Sequence, residues 1–346
     1  MTILVSGYYG FGNEGDELIL EGLLHALAPW RGQITVLSQD PRATEARHGV
    51  RAASRWQPVA LWRELQACRV FISGGGGLVQ DVSGPFSPAY YLGLLDWARR
   101  LGKRTIVWGQ GFIPLRWAGN RWLAKQVLRR ADLVIPRDPE SSAWCLEQGL
   151  EPARVQTGGD LVWLRPWQKD RSGKTWVICL RADWLKYKVP SWLEEILIFA
   201  RAAGRNLRFV ALGNRGDGEL LERLRRRAAF HDCEFIAASE GAVRWFADAE
   251  LVISQRYHGL VLGAQAGAVV TGFGQDPKLA RLLQELGQME LEPGKAGATL
   301  RRILRQRNGL RAGLKKRLKP LREASRLGAD RVRSQLRAWG LRPSGH

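Results

Sequence analysis

The chain has 346 residues, too many for one ordinary domain and enough for two of about 150 residues each, and its 45% hydrophobic and 25% charged residues exclude a disordered polypeptide. No signal peptide or membrane-spanning apolar run is visible and the four cysteines lack metal-ligand spacing, so we expect a soluble, cytoplasmic protein with reduced thiols and no bound metal. The net charge of +20 raises the alternative of a nucleic-acid-binding protein, but no nucleic-acid-binding motif is present and fifteen of the basic residues lie within residues 301–346, so we expect no nucleic-acid partner.

Short β-branched runs alternate with amphipathic helical stretches in the first half of the chain. Leu18, Ile19, Leu23 and Leu27, for example, are spaced for one face of a helix. This alternation predicts βαβ units around a parallel sheet. The predicted strands are Thr2–Ser6, Gln33–Leu37, Arg69–Ser73, Arg104–Trp108 and Asp132–Pro136.

A polar segment with proline and glycine, Arg165–Lys174, is a predicted linker, after which the alternation of strands and helices resumes. The second set of predicted strands is Thr175–Leu180, Leu207–Leu212, Cys233–Ala237, Leu251–Ser254 and Val269–Phe273. The sequence therefore predicts an α/β protein of two doubly wound domains, at residues 1–168 and 169–300. Ligands of such sheets bind at the carboxyl ends of the strands, which predicts a site in the cleft between the domains.

Residues 301–346 are predicted to form a basic helical C-terminal extension. Leucines at helical spacing between Thr299 and Trp339 indicate a helical hairpin that packs across both domains. Its basic face is either simply solvated or in contact with a polyanion or an acidic membrane surface.

Glycine-rich loops follow three predicted strands of the first half. Gly7–Glu17 includes Asn13 and Asp16 and leads into a helix, where Asp16 is either a functional group or a first-turn residue that stabilises the helix dipole. Ser73–Asp81 and Trp108–Gly111 follow two further strands. These loops match neither the dinucleotide fingerprint nor the P-loop, yet they leave room for a ligand to approach the main chain.

Cationic side chains also occur at predicted strand-to-helix junctions. Arg137 is placed either to bind a carboxylate or phosphate or to pair with Asp138. In the second half, Arg256 and His258 lie between a strand and an apolar helix, whose N-terminus favours a neutral imidazole able to act as a base. Lys278 lies at the start of a later predicted helix. It is either a functional cation or a solvated surface residue.

Six segments, in this order, resemble the polysaccharide pyruvyl transferase family, specifically the bacterial CsaB type that acts on secondary cell-wall polymers. They are GYYGFGNEGDE at 7–17, GGGGLVQD at 74–81, WGQG at 108–111, RDPESS at 137–142, SQRYHGLVLGAQAG at 254–267 and DPK at 276–278.

The resemblance implies two Rossmann-like domains facing across a cleft, as in GT-B glycosyltransferases. It implies that phosphoenolpyruvate is the donor substrate, with no separate cofactor. The pyruvyl group would be transferred as a ketal to a sugar of a cell-wall polysaccharide or its lipid-linked precursor, with release of phosphate. Such a product would serve S-layer anchoring, and the enzyme would work in the cytoplasm or at the inner face of the cell membrane on an amino-sugar-containing acceptor.

The functional residues of the family, carried over by matching motif positions, are Asp16, Arg137, His258 and Lys278. Further substrate-binding candidates lie at strand ends and in the matching loops: Arg181, Arg256, Asn13, Gly75, Gly76 and Gln110. The donor brings about three negative charges, which arginine and lysine side chains can bind. Ketal formation needs one acid and one base, for which Asp16 and His258 are the candidate pair, in either order.

The sequence leaves open an alternative function and the role of several tryptophans. A GT-B-type glycosyltransferase using a nucleotide sugar is the alternative function, with Glu285 or Glu290 as its ribose ligand. Five tryptophans near the loops or the linker are candidates for stacking on sugars, although most of them are expected in the core. They are Trp117, Trp122, Trp163, Trp167 and Trp184.

Overall fold

The structure is a computed structural model that describes residues 2–81, 86–112, 115–166, 173–182, 190–213, 215–237, 242–274 and 276–343. Most of the predicted linker, together with Trp167 and Trp184, lies outside these residues. The chain divides into two compact units. The first comprises Met1–Phe11, Asp16–Arg165 and Leu321–His346, and the second comprises Gly12–Gly15 and Pro166–Pro320.

The first unit is built on six parallel strands in the order β3-β2-β1-β4-β5-β6. Their bounds are β1 (Thr2–Ser6), β2 (Ile34–Ser38), β3 (Arg51–Ser54), β4 (Cys68–Gly76), β5 (Arg104–Gln110) and β6 (Leu133–Pro136). The order reverses between β1 and β4, which is where a doubly wound sheet opens a crevice for a ligand.

Within the described residues, five α-helices connect these strands and a sixth follows β6, in agreement with the predicted βαβ alternation. They are α1 (Glu14–Ala26), α2 (Pro41–His48), α3 (Pro58–Ala67), α4 (Phe86–Arg100), α5 (Ala118–Leu128) and α6 (Pro139–Glu147). Local signals define their ends: at α2, Asp40 accepts a hydrogen bond from the Ala43 amide and Gly49 closes the helix with a φ of 59°. β3 was not predicted, because Arg51–Ser54 has no β-branched residue and forms a strand through its pairing with β2.

The second unit repeats the same plan with five parallel strands in the order β11-β10-β7-β8-β9. The strands are β7 (Thr175–Cys179), β8 (Asn206–Val210), β9 (Glu234–Ile236), β10 (Ala249–Ser254) and β11 (Val269–Gly272). The helices are α7 (Ser191–Ala202), α8 (Arg215–Arg225), α9 (Tyr257–Gln265) and α10 (Pro277–Leu286). Here the order reverses between β7 and β10, so the chain has two Rossmann-like units, as predicted.

The C-terminal segment is one helix, α11 (Ala296–Ala338), so the predicted hairpin is wrong. Leu300 and Ile303 belong to the core of the second unit, whereas Val332 and Leu336 belong to the core of the first. Buried residues continue at helical spacing on both sides of Pro320, and this burial outweighs a cost of about 3 kcal/mol for an internal proline. No helix in the described parts of the chain combines the length and apolarity needed to cross a membrane.

Candidate functional site

Asp16 lies at the point where the strand order of the first unit reverses. A side chain on Gly76, at the end of β4, would place its Cβ 3.0 Å from the Asp16 Oδ1 atom. The neighbouring Gly75 instead makes room for Ile19 of α1, whose Cγ2 atom would lie 1.9 Å from a Cβ. Both glycines have a positive φ, 42° at Gly75 and 84° at Gly76. The end of β4 is therefore a backbone surface against which the Asp16 carboxyl group and α1 pack.

Its surroundings favour a protonated Asp16 carboxyl group. Burial, followed by the charges of Glu17 and Asp160, raises the pKa of Asp16 from 3.8 to about 8, although Arg137 acts in the opposite direction. At neutral pH the carboxyl group therefore carries a proton that it can donate. Perturbed acids of this kind are concentrated at catalytic sites.

Arg137 follows β6 and is held in place from several directions. Its amide donates to the Gln110 carbonyl over 3.0 Å, and its guanidinium packs against Gly111, where a Cβ would lie 2.5 Å from Nε. The guanidinium also faces two carboxylates, at 3.4 Å from Asp138 and 3.6 Å from Asp160. Arg137 therefore pairs with Asp138, and its position also suits the binding of an anion.

Two buried polar side chains complete this edge of the sheet. Gln110 donates from Nε2 to the Ser73 hydroxyl over 2.7 Å, while its Oε1 atom has no hydrogen-bond partner among the described residues. Asp160 accepts from the Val162 amide at 3.1 Å, and its carbonyl accepts from the Ser325 hydroxyl at 3.0 Å. Asp160 was not identified from the sequence, where two preceding glycines are its only local signal.

A buried carboxylate also holds the loop before α1. Glu17 accepts from the Gly10 amide over 2.7 Å and from His48 Nε2 over 2.8 Å. Burial opposes ionisation of Glu17, but these hydrogen bonds outweigh it and lower the pKa of this carboxyl group. His48 is the last residue of α2 and is buried.

In the second unit, Arg256 is fixed by the carboxylate of Asp217, which was not predicted as a site residue. Its Nε and Nη2 atoms donate to the two oxygens of Asp217 over 2.8 and 2.5 Å. Asp217 is buried and also accepts from the amides of Gly213 and Ala182, at 2.9 and 3.2 Å. The bidentate pair sets the plane of the guanidinium at the N-cap of α9. The position of Asp217, shortly after β8 in a glycine-rich segment, is the signal that could have found it.

Gln255 and Arg181 lie just after β10 and β7, the two strands between which the order of the second sheet reverses. The Arg181 amide donates to Gln255 Oε1 over 3.1 Å. The Nε2 group of Gln255 is buried and has no hydrogen-bond partner within the described part of the chain. A buried amide donor therefore remains available beside the N-terminus of α9, an arrangement suited to an anion.

His258 is the second residue of α9, and its ring packs against Gly15, where a Cβ would lie 2.1 Å from Nδ1. Asn13 accepts from the Gly15 amide over 3.2 Å, so it supports the same contact. Lys278 is the second residue of α10, whose first turn is capped by Asp276 over 3.0 Å. Each of these residues therefore lies at the start of a helix.

The candidate residues thus form two groups, each at the carboxyl edge of one sheet. The group in the first unit comprises Asp16, Gly75, Gly76, Gln110 and Arg137, and the group in the second comprises Asn13, Arg181, Arg256, His258 and Lys278. Within the described residues, no group of three His, Cys, Asp or Glu side chains is arranged as metal ligands.

The tryptophans singled out from the sequence have different environments. Trp163 is buried, as expected for a core residue. Trp117 and Trp122 are exposed, so the core assignment is wrong for them.

The chain matches the family model of polysaccharide pyruvyl transferase over residues 13–277. No curated protein matches it. Among solved structures, Anabaena HepE in complex with UDP-glucose is 12% identical, with 96% of this chain and 100% of that chain covered and a TM-score of 0.60.

The S. aureus MnaA–UDP structure is 10% identical, covers 100% of both chains and has a TM-score of 0.64. The UDP-GlcNAc 2-epimerase of Neisseria meningitidis is 9% identical, with 97% of this chain and 99% of that chain covered and a TM-score of 0.62. At these identities the structures share a GT-B-like fold with this chain. Because the family model matches more than half of its length, the chain belongs to the polysaccharide pyruvyl transferase family.

Proposed function

We propose that the protein transfers the pyruvyl group of phosphoenolpyruvate to a polysaccharide sugar as a ketal and releases phosphate. Membership of the family supplies the reaction class. The observation that carries the donor assignment is Asp16, an acid protonated at neutral pH beside the cation of Arg137. A proton donor next to an anion-binding group is what an enol phosphate substrate requires.

Binding of the donor rests on arginines that are fixed before the substrate arrives. The carboxylate and phosphate of phosphoenolpyruvate carry about three negative charges, which need several fixed cations. Arg137 and Arg256 are oriented by Asp160 and Asp217, respectively, so little side-chain entropy is lost on binding. Lys278 supplies a further cation in this proposal.

The proposed chemistry balances with one acid and one base. Asp16 donates its proton to the methylene carbon of the donor, which becomes the methyl group and leaves the adjacent carbon electrophilic. A sugar hydroxyl attacks that carbon and loses its proton to His258. A second hydroxyl then displaces phosphate to close the ketal, and its proton leaves with the phosphate or restores Asp16.

The proposed acceptor is an amino-sugar-containing cell-wall polymer or its lipid-linked precursor, for use in S-layer anchoring. Because phosphoenolpyruvate is a cytoplasmic metabolite, we place the reaction in the cytoplasm.

Residues 296–320 of α11 contain nine basic and no acidic residues, which suits a peripheral contact with acidic lipid at the inner face of the membrane. Lys315, Lys316 and Lys319 are exposed. Their triple replacement by glutamate should abolish sedimentation with vesicles containing phosphatidylserine.

Thermal unfolding with phosphoenolpyruvate or with nucleotide sugars tests the donor. A ligand at about 100 times its dissociation constant stabilises the native state by roughly 2.7 kcal/mol. We expect stabilisation by phosphoenolpyruvate in the wild type and in Arg63→Ala, an exposed control on α3, and its loss in Arg137→Ala. His258→Ala should bind the donor but release no phosphate. Stabilisation by a nucleotide sugar alone would instead favour a glycosyltransferase, as the UDP complexes of HepE and MnaA suggest.

A further inference from the structure

Arg55 organises a cluster of aromatic rings at the carboxyl edge of the first sheet. It follows β3, is buried, and donates to the Gly7 carbonyl over 2.9 Å. Its guanidinium also lies within 4.6 to 5.3 Å of the centroids of four rings, those of Phe11, Trp56, Tyr90 and Tyr91. Cation–π contacts to four rings hold the cluster in one arrangement.

The cluster presents two rings to solvent. Tyr8 stacks on Phe11 with a centroid separation of 4.0 Å and an interplanar angle of 5°, yet 38% of Tyr8 is exposed. Trp56 is 57% exposed, although its indole N–H donates to Gln39 and its ring contacts Tyr90. Rings that are immobilised on one side and open on the other are typical of a surface that binds a flat apolar ligand face.

The aromatic cluster lies close to the proposed acid. The Tyr9 hydroxyl donates to the Gly74 carbonyl, two residues before the glycine that abuts Asp16. Burial raises the pKa of the Tyr8 hydroxyl, and the charge of Asp16 raises it further. The exposed ring of Tyr8 and the Asp16 carboxyl group therefore occupy the same part of the first unit.

We infer that Tyr8 and Trp56 form the platform on which the pyranose ring of the acceptor stacks. This inference rests on the proposed function. The carbon that Asp16 protonates is bonded to the carbon that the sugar hydroxyl attacks, so the acceptor has to lie beside Asp16. A pyranose presents an apolar C–H face to an aromatic ring and keeps its hydroxyls at the rim, where the exposed Gln39 accepts a hydrogen bond from the Trp56 indole N–H.

Saturation-transfer NMR with methyl glycosides of hexoses and N-acetylhexosamines tests the platform without turnover. We expect transfer to the C–H protons of at least one glycoside in the wild type. Tyr8→Ala and Trp56→Ala should each weaken its binding about tenfold, whereas Tyr8→Phe keeps most of it. The matched control is Trp62→Ala, because Trp62 is 44% exposed and also stacks on another ring, that of Trp97.

The platform would be overturned by no transfer to any glycoside, by wild-type binding in both alanine variants, or by an equal loss in Trp62→Ala. Uridine binding in place of glycosides would also overturn it and assign the rings to a nucleotide. Donor binding separates this inference from the proposed function. If phosphoenolpyruvate does not stabilise the protein but glycosides bind through Tyr8, the donor assignment fails and the platform stands.

Discussion

Replacing Asp16 by asparagine should stabilise the protein while abolishing its activity. The pKa of Asp16 is about 8 in the folded protein and ordinarily 3.8, and each unit of difference corresponds to about 1.4 kcal/mol. At pH 7 the unfolded chain has its carboxyl group ionised, whereas the folded protein must keep it protonated. This difference costs the wild type up to about 4 kcal/mol, a cost that the neutral amide of asparagine avoids.

The sign of the pH dependence follows from the raised pKa. The folded state binds this proton more tightly than the unfolded state, so the contribution of Asp16 to stability is most favourable below about pH 4 and falls until the pH passes about 8. The advantage of Asp16→Asn should therefore grow from about 1.6 kcal/mol at pH 5 to about 6 kcal/mol at pH 9, as upper limits.

Urea unfolding of both proteins at these pH values measures the difference. Glu292→Gln is a suitable control, because this exposed glutamate pairs only with a surface lysine among the described residues, and it should match the wild type throughout. An advantage that stays constant or shrinks as the pH rises would refute the assignment of Asp16 as a neutral acid.

Three further predictions test the residues that hold the site in place. Gly111→Ala places a methyl group 2.5 Å from Arg137 Nε and should abolish stabilisation by phosphoenolpyruvate in thermal unfolding, without changing the unfolding temperature of the free protein by more than a few degrees. Asp217→Asn removes the buried negative charge that pairs with Arg256, so urea unfolding should show a loss of about 3 kcal/mol, and steady-state kinetics a KM for the donor raised at least tenfold. Glu17→Gln should lower stability at neutral pH but not below pH 3, because the lowered pKa of this carboxyl group stabilises the fold only when it is ionised. Equal losses at both pH values would show that Glu17 acts by packing alone.

Most of the architecture could be predicted because parallel strands buried on both faces leave a strong local pattern. All ten predicted strands overlap observed ones by three residues or more, and β9 is the shortest of the observed strands. β3 could not be predicted, since pairing with β2 determines it rather than its own residues. The hairpin prediction for α11 failed because the helix continues through Pro320 and is buried against both cores, which no local signal reveals.

Site residues that lie within a sequence motif could be predicted. Site residues that are defined only by a tertiary contact could not. Asp16, Arg137 and His258 lie in segments that resemble a family, and the structure brings them to the carboxyl edges of the sheets. Asp160 and Asp217 are distant in sequence from the arginines that they hold. The raised pKa of Asp16 likewise depends on burial and on neighbours that only the folded chain assembles.

Four glycines at the two sites abut the charged or titratable groups. Cβ atoms at Gly15, Gly76, Gly111 and Gly213 would come within 3.0 Å of His258, Asp16, Arg137 and Arg256, in that order. A related sequence that keeps every one of those side chains but has alanine at any of these positions would have them displaced. These glycines therefore offer a criterion for sorting active from inactive relatives in sequence collections, and positions to leave unchanged when a library is built to alter the acceptor.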